Sequence, residues 1–212
     1  MKTIITIGRQ FGSGGKEVGI RVAKELGIPF YDKELLQEAA KKSGLCEKIF
    51  ENFDERPKSL LYSIAMDSYM FALPGTGAGD SLEQQVYLAT FDTIRHIADQ
   101  GPCVIIGRCA DYLLRERENV IRCYIFAPYQ ARIRNSILTL GLATAEPQRI
   151  IEEVDKARAE YYRSHTGCEV NNTRYRDLFL NSNLLGVEGT ADLIVDAVRR
   201  KFGLEAPAEE QI

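Results

Sequence analysis

Between Gly12 and Glu17 the chain reads Gly-Ser-Gly-Gly-Lys-Glu, and this run carries the clearest chemistry in the sequence. Small residues in succession leave main-chain N–H groups uncovered, and Lys16 adds a charge at their end; together such groups can hold phosphate oxygens. The usual phosphate-loop spacing puts a glycine five residues before the Gly-Lys step and a hydroxyl residue after the lysine. Here Gln10 and Glu17 occupy those two places. Gly8 can supply the sharp exit from the strand before the loop. Glu17 either turns away as a first-turn acid favoured by the helix dipole or helps to hold a metal ion.

Other chemistry is sparse. His96 and His165 have no sequence neighbours that suggest nucleophilic catalysis, and no role is assigned to them. Tyr161 and Tyr162 could stack on a base or anchor a helix. The cysteines, Cys46, Cys103, Cys109, Cys123 and Cys168, are odd in number and form no CxxC pair. That pattern speaks against a disulfide framework and against a zinc site.

The elements that must position the loop can be read around it. Ile4, Ile5 and Ile7 form a β-branched run ending at Gly8, as a buried strand would, and residues 16–26 have helical spacing with Gly27 as a stop. A short extended piece, 28–31, leads to a helix expected over 32–42, with Asp32 as its N-cap. Residues 46–72 read as helix broken at Pro57, 73–80 as a flexible glycine-rich stretch, and 81–99 as a long helix. Strands are expected at 103–107, 120–126 and 177–181, and helices from Tyr129, over 146–163 and over 190–202. Nearly continuous apolar strands alternating with helices imply a parallel sheet of about five strands covered on both faces.

With 212 residues, 45% hydrophobic and 27% charged, the chain is expected to form one soluble domain. Residues 1–31 and 101–204 would form its core, 32–100 an inserted acceptor-binding arm, and 205–212 a disordered tail. A net charge of −3 argues against a nucleic-acid partner or a polybasic membrane patch. No apolar run reaches the roughly 18 residues of a membrane span, and the start, MKTIITIG, lacks the long apolar region of a secretory signal. The cytoplasm is the expected compartment, and the expected state is a monomer or a homodimer.

Five motifs in order then resemble the cytidylate kinase-like family of P-loop proteins: Arg9-Gln10-Phe11-Gly12-Ser13-Gly14-Gly15-Lys16-Glu17, Phe30-Tyr31-Asp32-Lys33-Glu34, Val104-Ile105-Ile106-Gly107-Arg108-Cys109-Ala110-Asp111, residues 155–162, and Asp177-Leu178-Phe179-Leu180-Asn181. The resemblance implies a three-layer α/β nucleoside-monophosphate kinase fold with a helical arm and a lid at about 132–165. It also implies ATP and Mg²⁺ as cofactors, nucleotide substrates, and phosphoryl transfer to a nucleoside monophosphate, CMP or dCMP first.

On that resemblance, Gly12, Ser13, Gly14, Gly15 and Lys16 hold the ATP phosphates, with Glu17 the candidate metal ligand. Asp32 orients the acceptor or only caps its helix. Arg108, at the end of a buried strand where ligands collect in such sheets, grips the acceptor phosphate. Asp111 is either a helix-start cap or an acid near magnesium. One of Arg132 and Arg134 reaches the phosphates. Asp155 and Arg158 match an Asp-x-x-Arg set around the acceptor, or belong to a solvated charged helix. Lys16, Arg108, Arg132 and Arg158 would be catalytic. Two further readings stay open: a kinase for another small acceptor on the same fold, and a nucleotide-binding regulator without transfer activity, which Gln10 and Glu17 favour.

Overall fold

A computed structural model describes residues 3–32, 79–140 and 147–203. The helix expected after Asp32, the broken helix 46–72, residues 73–78 of the glycine-rich stretch, and the tail from 204 onward lie outside the described residues, as do positions 141–146 of the expected lid.

The elements run β1 (Ile4–Arg9), α1 (Gly15–Leu26), β2 (Phe30–Tyr31), α2 (Gly79–Gln100), β3 (Cys103–Ile106), α3 (Ala110–Leu113), β4 (Val120–Phe126), α4 (Tyr129–Leu140), α5 (Pro147–Thr166), β5 (Leu178–Asn181) and α6 (Ser182–Phe202). The strands make one parallel sheet in the order β2-β3-β1-β4-β5.

Alternation along the strands sorts the core into two layers. Ile5, Ile7, Val104, Ile106, Cys123 and Ile125 pack with Val18 and Val22 of α1 and with Ile194, Val195 and Val198 of α6. Ile4, Cys103, Ile105 and Val120 turn to the other face and pack with Ile94 and Ile97 of α2 and with Ala110. The C-terminal half of α2 is therefore core, so the core reaches back into the segment expected to be the arm.

β1 is central, with β3 on one side and β4 on the other. The chain fills one side first and then crosses to the other, so the crevice beyond the strand ends opens beside β1. Past β4, Asp177 accepts from Arg122 Nε at 3.0 Å and Nη2 at 3.0 Å and fixes the start of β5. The last helix departs from its expected start at residue 190. It begins at Ser182, because the Asn181 side chain caps the Asn183 amide at 3.1 Å, and it is broken at Gly186, whose φ of 70° and ψ of −174° are not helical.

Candidate active site

The loop between β1 and α1 is held by its carbonyl groups. Gln10 O accepts from Ser13 Oγ at 2.9 Å, Phe11 O from Arg132 at 3.3 Å, Gly12 O from Asn135 Nδ2 at 3.0 Å, Ser13 O from Ser182 Oγ, and Gly14 O from the Val18 amide at 2.9 Å. With those oxygens turned into the protein, the amides of Gly12, Gly14, Gly15, Lys16 and Glu17 meet no protein acceptor among the described residues. The last four are the orphan donors that open any helix.

Glycine is required here by geometry. Gly12 and Gly14 have φ of 72° and 73°, and a Cβ on Gly12 would stand 2.7 Å from Arg132 O and 2.7 Å from Ser136 Oγ. Gln10, at the place of the usual leading glycine, ties the loop to β4: its amide donates to Ile125 O at 3.0 Å and its Oε1 accepts from the Ala127 amide at 3.2 Å.

A brace lies behind the loop. Asp155 Oδ1 accepts from the Phe11 amide at 2.7 Å, and its other oxygen is paired with buried Arg132. Phe11 packs against Ile150, Ile151 and Val154 of α5 and against Ile133 of α4. The structure thus uses Asp155 and Arg132 on the loop itself, and neither lines the crevice. Arg134 is exposed, as is Glu17.

The crevice, about 640 Å³ with the solvent at its mouth, is walled by Gly8, Arg9, Asp32 and the turn Gly107–Asp111, and by Tyr124, Arg158, Tyr161, Tyr162 and Arg176 among others. Asp32 Oδ2 lies 3.0 Å from Lys16 Nζ, and Oδ1 lies 3.8 Å from Arg9. Arg158 donates to Arg9 O at 3.3 Å. Arg108 follows Gly107 with a left-handed φ of 56°, and Cys109 continues with 55°, so two non-glycine residues in succession take a strained backbone at the crevice wall.

Asp111, three residues beyond Arg108, faces inward to protein partners: Arg176 Nε donates to its Oδ2 at 3.0 Å and the Tyr162 hydroxyl donates to it at 3.1 Å. Arg176 is buried, with its guanidinium 4.4 Å from the Tyr124 ring centre. Burial, with the Asp111 charge adding to it, pushes the Tyr162 hydroxyl far above its usual pKa and keeps it a donor.

The lining holds four arginines (Arg9, Arg108, Arg158, Arg176) against two aspartates (Asp32, Asp111), so it carries an excess of two positive charges and suits an anionic ligand. Among the described residues no group of three or more His, Cys, Asp or Glu could hold a metal ion.

Of the residues marked by sequence, the structure brings Asp32, Arg108, Asp111 and Arg158 to the crevice, with Lys16 at its edge through Asp32. Sequence reasoning missed Arg9 and Arg176. Arg9 could have been found by the argument used for Arg108, since both leave the end of a buried strand. Arg176 lies in an irregular stretch before β5 and carries no periodic signal.

The cytidylate kinase-like family model matches residues 4–184. Among solved structures, an uncharacterized protein from Eubacterium ventriosum is similar with a TM-score of 0.70 and 24% identity, over 93% of this chain and 98% of that one. The shikimate kinase from Acinetobacter baumannii in complex with shikimate has a TM-score of 0.51 and 14% identity, over 95% of this chain and 95% of that chain. Shikimate kinase from Bacteroides thetaiotaomicron gives 0.52 and 14%, over 94% of this chain and 99% of that one. At such identities the likeness is one of fold, that of the P-loop kinases. No curated protein matches the chain. No described helix is long and apolar enough to cross a membrane. The motifs run in order from the loop after β1 to β5 within the matched span, and the chain belongs to the cytidylate kinase-like family.

Proposed function

We propose that the protein transfers the γ-phosphoryl group of ATP to a small anionic acceptor bound in the crevice, with CMP and dCMP the first acceptors to assay because of the family. The observation that carries the donor side is the loop: carbonyls from Gln10 to Gly14 are all taken by protein donors, while the amides of Gly12 and of Gly14 to Glu17 are left for a ligand beside Lys16. Such a cradle suits a polyphosphate.

ATP supplies the phosphoryl group, and Mg²⁺ would neutralise charge on its phosphates. The residues fit an ion that keeps most of its water, since Glu17 offers one exposed carboxylate at the loop. Lys16 supplies positive charge at the phosphates, and Arg108 and Arg158 hold the anionic part of the acceptor. The brace of Arg132 and Asp155 keeps the loop from adapting, which favours preorganised charge. The departure at Gln10 does not favour a regulator, because that side chain anchors the loop.

ATP consumption over CMP, dCMP, UMP, AMP and GMP, with a second set of small hydroxylated anions, tests this reading. Turnover above an acceptor-free control, lost in Lys16→Ala, supports it. Equality with the control across both sets rejects transfer.

A further inference from the structure

Arg9 is the last residue of β1, and strand alternation puts its side chain on the face of Ile5 and Ile7, the face that α1 covers. A Cβ on Gly15, the first residue of α1, would stand 2.7 Å from Arg9 Cβ and 3.3 Å from its Cδ. Farther along the side chain, a Cβ on Gly107 would stand 3.2 Å from Arg9 Nη1. One of these glycines belongs to the phosphate loop and the other to the turn that carries Arg108. The Arg9 side chain therefore spans the gap between donor loop and acceptor turn, stem against the first and guanidinium at the second.

That gap is where a phosphoryl group would cross. Asp32, buried, lies 3.0 Å from Lys16 Nζ through Oδ2 and 3.8 Å from Arg9 Nη2 through Oδ1, so one carboxylate gathers both cations. Lys16 is 41% exposed and has room to turn toward bound phosphates, whereas Arg9 is 13% exposed and hemmed in by the two glycines. A fixed guanidinium offers preorganised charge, and its planar fork can donate to two oxygens of one phosphoryl group. The loop itself is short of such charge, because exposed Glu17 stands where the usual loop has a metal-holding hydroxyl.

We infer that Arg9 is a catalytic residue that donates to the equatorial oxygens of the γ-phosphoryl group as it leaves ATP. The inference rests on the proposed phosphoryl transfer and names the charge at its centre. With CMP as acceptor, an anionic phosphate oxygen forms a bond to the γ-phosphorus as the bond from that phosphorus to the β–γ bridging oxygen breaks. The electron pair of the broken bond stays on the departing ADP, and no proton moves. Arg9 keeps its proton throughout and meets the charge spread over the equatorial oxygens.

The test compares wild type with Arg9→Gln, which keeps most of the stem without the charge, and Arg9→Lys, which keeps the charge without the fork. Circular dichroism checks the fold of each. Calorimetric titration with Mg·ADP reads the loop and Lys16, and titration with the β,γ-imido analogue of ATP adds the γ-phosphate. In Arg9→Gln, ADP affinity should stay within about threefold of wild type while affinity for the imido analogue falls at least about tenfold. Turnover over the acceptor sets above should fall about 100-fold or more, with Arg9→Lys between the two.

Equal losses for both nucleotides in Arg9→Gln overturn the inference, since Arg9 would then only support the loop. Turnover within about threefold of wild type overturns it, as does a raised acceptor KM at unchanged kcat, which would make Arg9 an acceptor anchor. Loss of fold in both variants also overturns it and assigns Arg9 to the scaffold. Each of these leaves phosphoryl transfer standing. Wild type that binds no Mg·ADP, or binds it without turnover in either acceptor set, removes both proposals.

Discussion

At the residue scale, Asp155 separates two roles that its motif leaves open. Asparagine there keeps an oxygen for the Phe11 amide but removes the charge paired with buried Arg132. Asp155→Asn should cost about 1–3 kcal/mol in a denaturant melt and raise KM for ATP more than KM for the acceptor. The opposite split would return Asp155 to the acceptor. Arg108→Ala should do the reverse, raising acceptor KM at least about tenfold with KM for ATP little changed, as expected for loss of a charge-assisted contact. Asp177 gives a pH prediction. Burial acts to raise its pKa, but hydrogen bonds from Arg122 outweigh burial and hold the carboxyl below its usual range. Its stabilisation is therefore present above about pH 4 and lost as pH falls through the lowered folded value. In acid melts below about pH 4, wild type should lose more stability than Asp177→Asn, by a small margin because the carboxylate is partly exposed.

At the element scale, strands were the most legible part of the chain. β4 was expected at residues 120–126 and runs Val120–Phe126, because its largely apolar run starts after Asn119, stops short of Pro128 and is paired on both sides, with β1 and β5. The start of α6 was not legible. Asn181, Asn183 and Gly186 read as loop formers, and only the capping contact with Asn183 and the break at Gly186 turn them into a bent helix start. Gly186→Ala isolates that break: nothing lies within 4 Å of a Cβ there, so the cost is backbone strain alone. With φ near 70° and ψ near −174°, a conformation open to glycine, the variant should lose about 1–3 kcal/mol by thermal melt. No loss would mean that α6 can straighten at no cost.

At the scale of the whole molecule, a parallel sheet of about five strands covered on both faces follows from alternation of apolar strands and helices and was anticipated, whereas the strand order β2-β3-β1-β4-β5 was not. Nor was the brace between Phe11 and Asp155, since it joins positions 144 apart and no local period encodes it. The same holds for the pairing of Asp111 with Arg176, 65 positions on. Ligand placement depends on such distant pairs, so motifs alone marked the region of the site without assigning each side chain's partner. The central claim is that amides after β1, with Lys16, grip a polyphosphate. Calorimetric titration of Mg·ADP into wild type and Lys16→Ala tests it most directly. Saturable binding, weakened at least about tenfold in the variant with its fold retained by circular dichroism, is the predicted result. Equal affinity in the two proteins, or no binding to wild type, would contradict it.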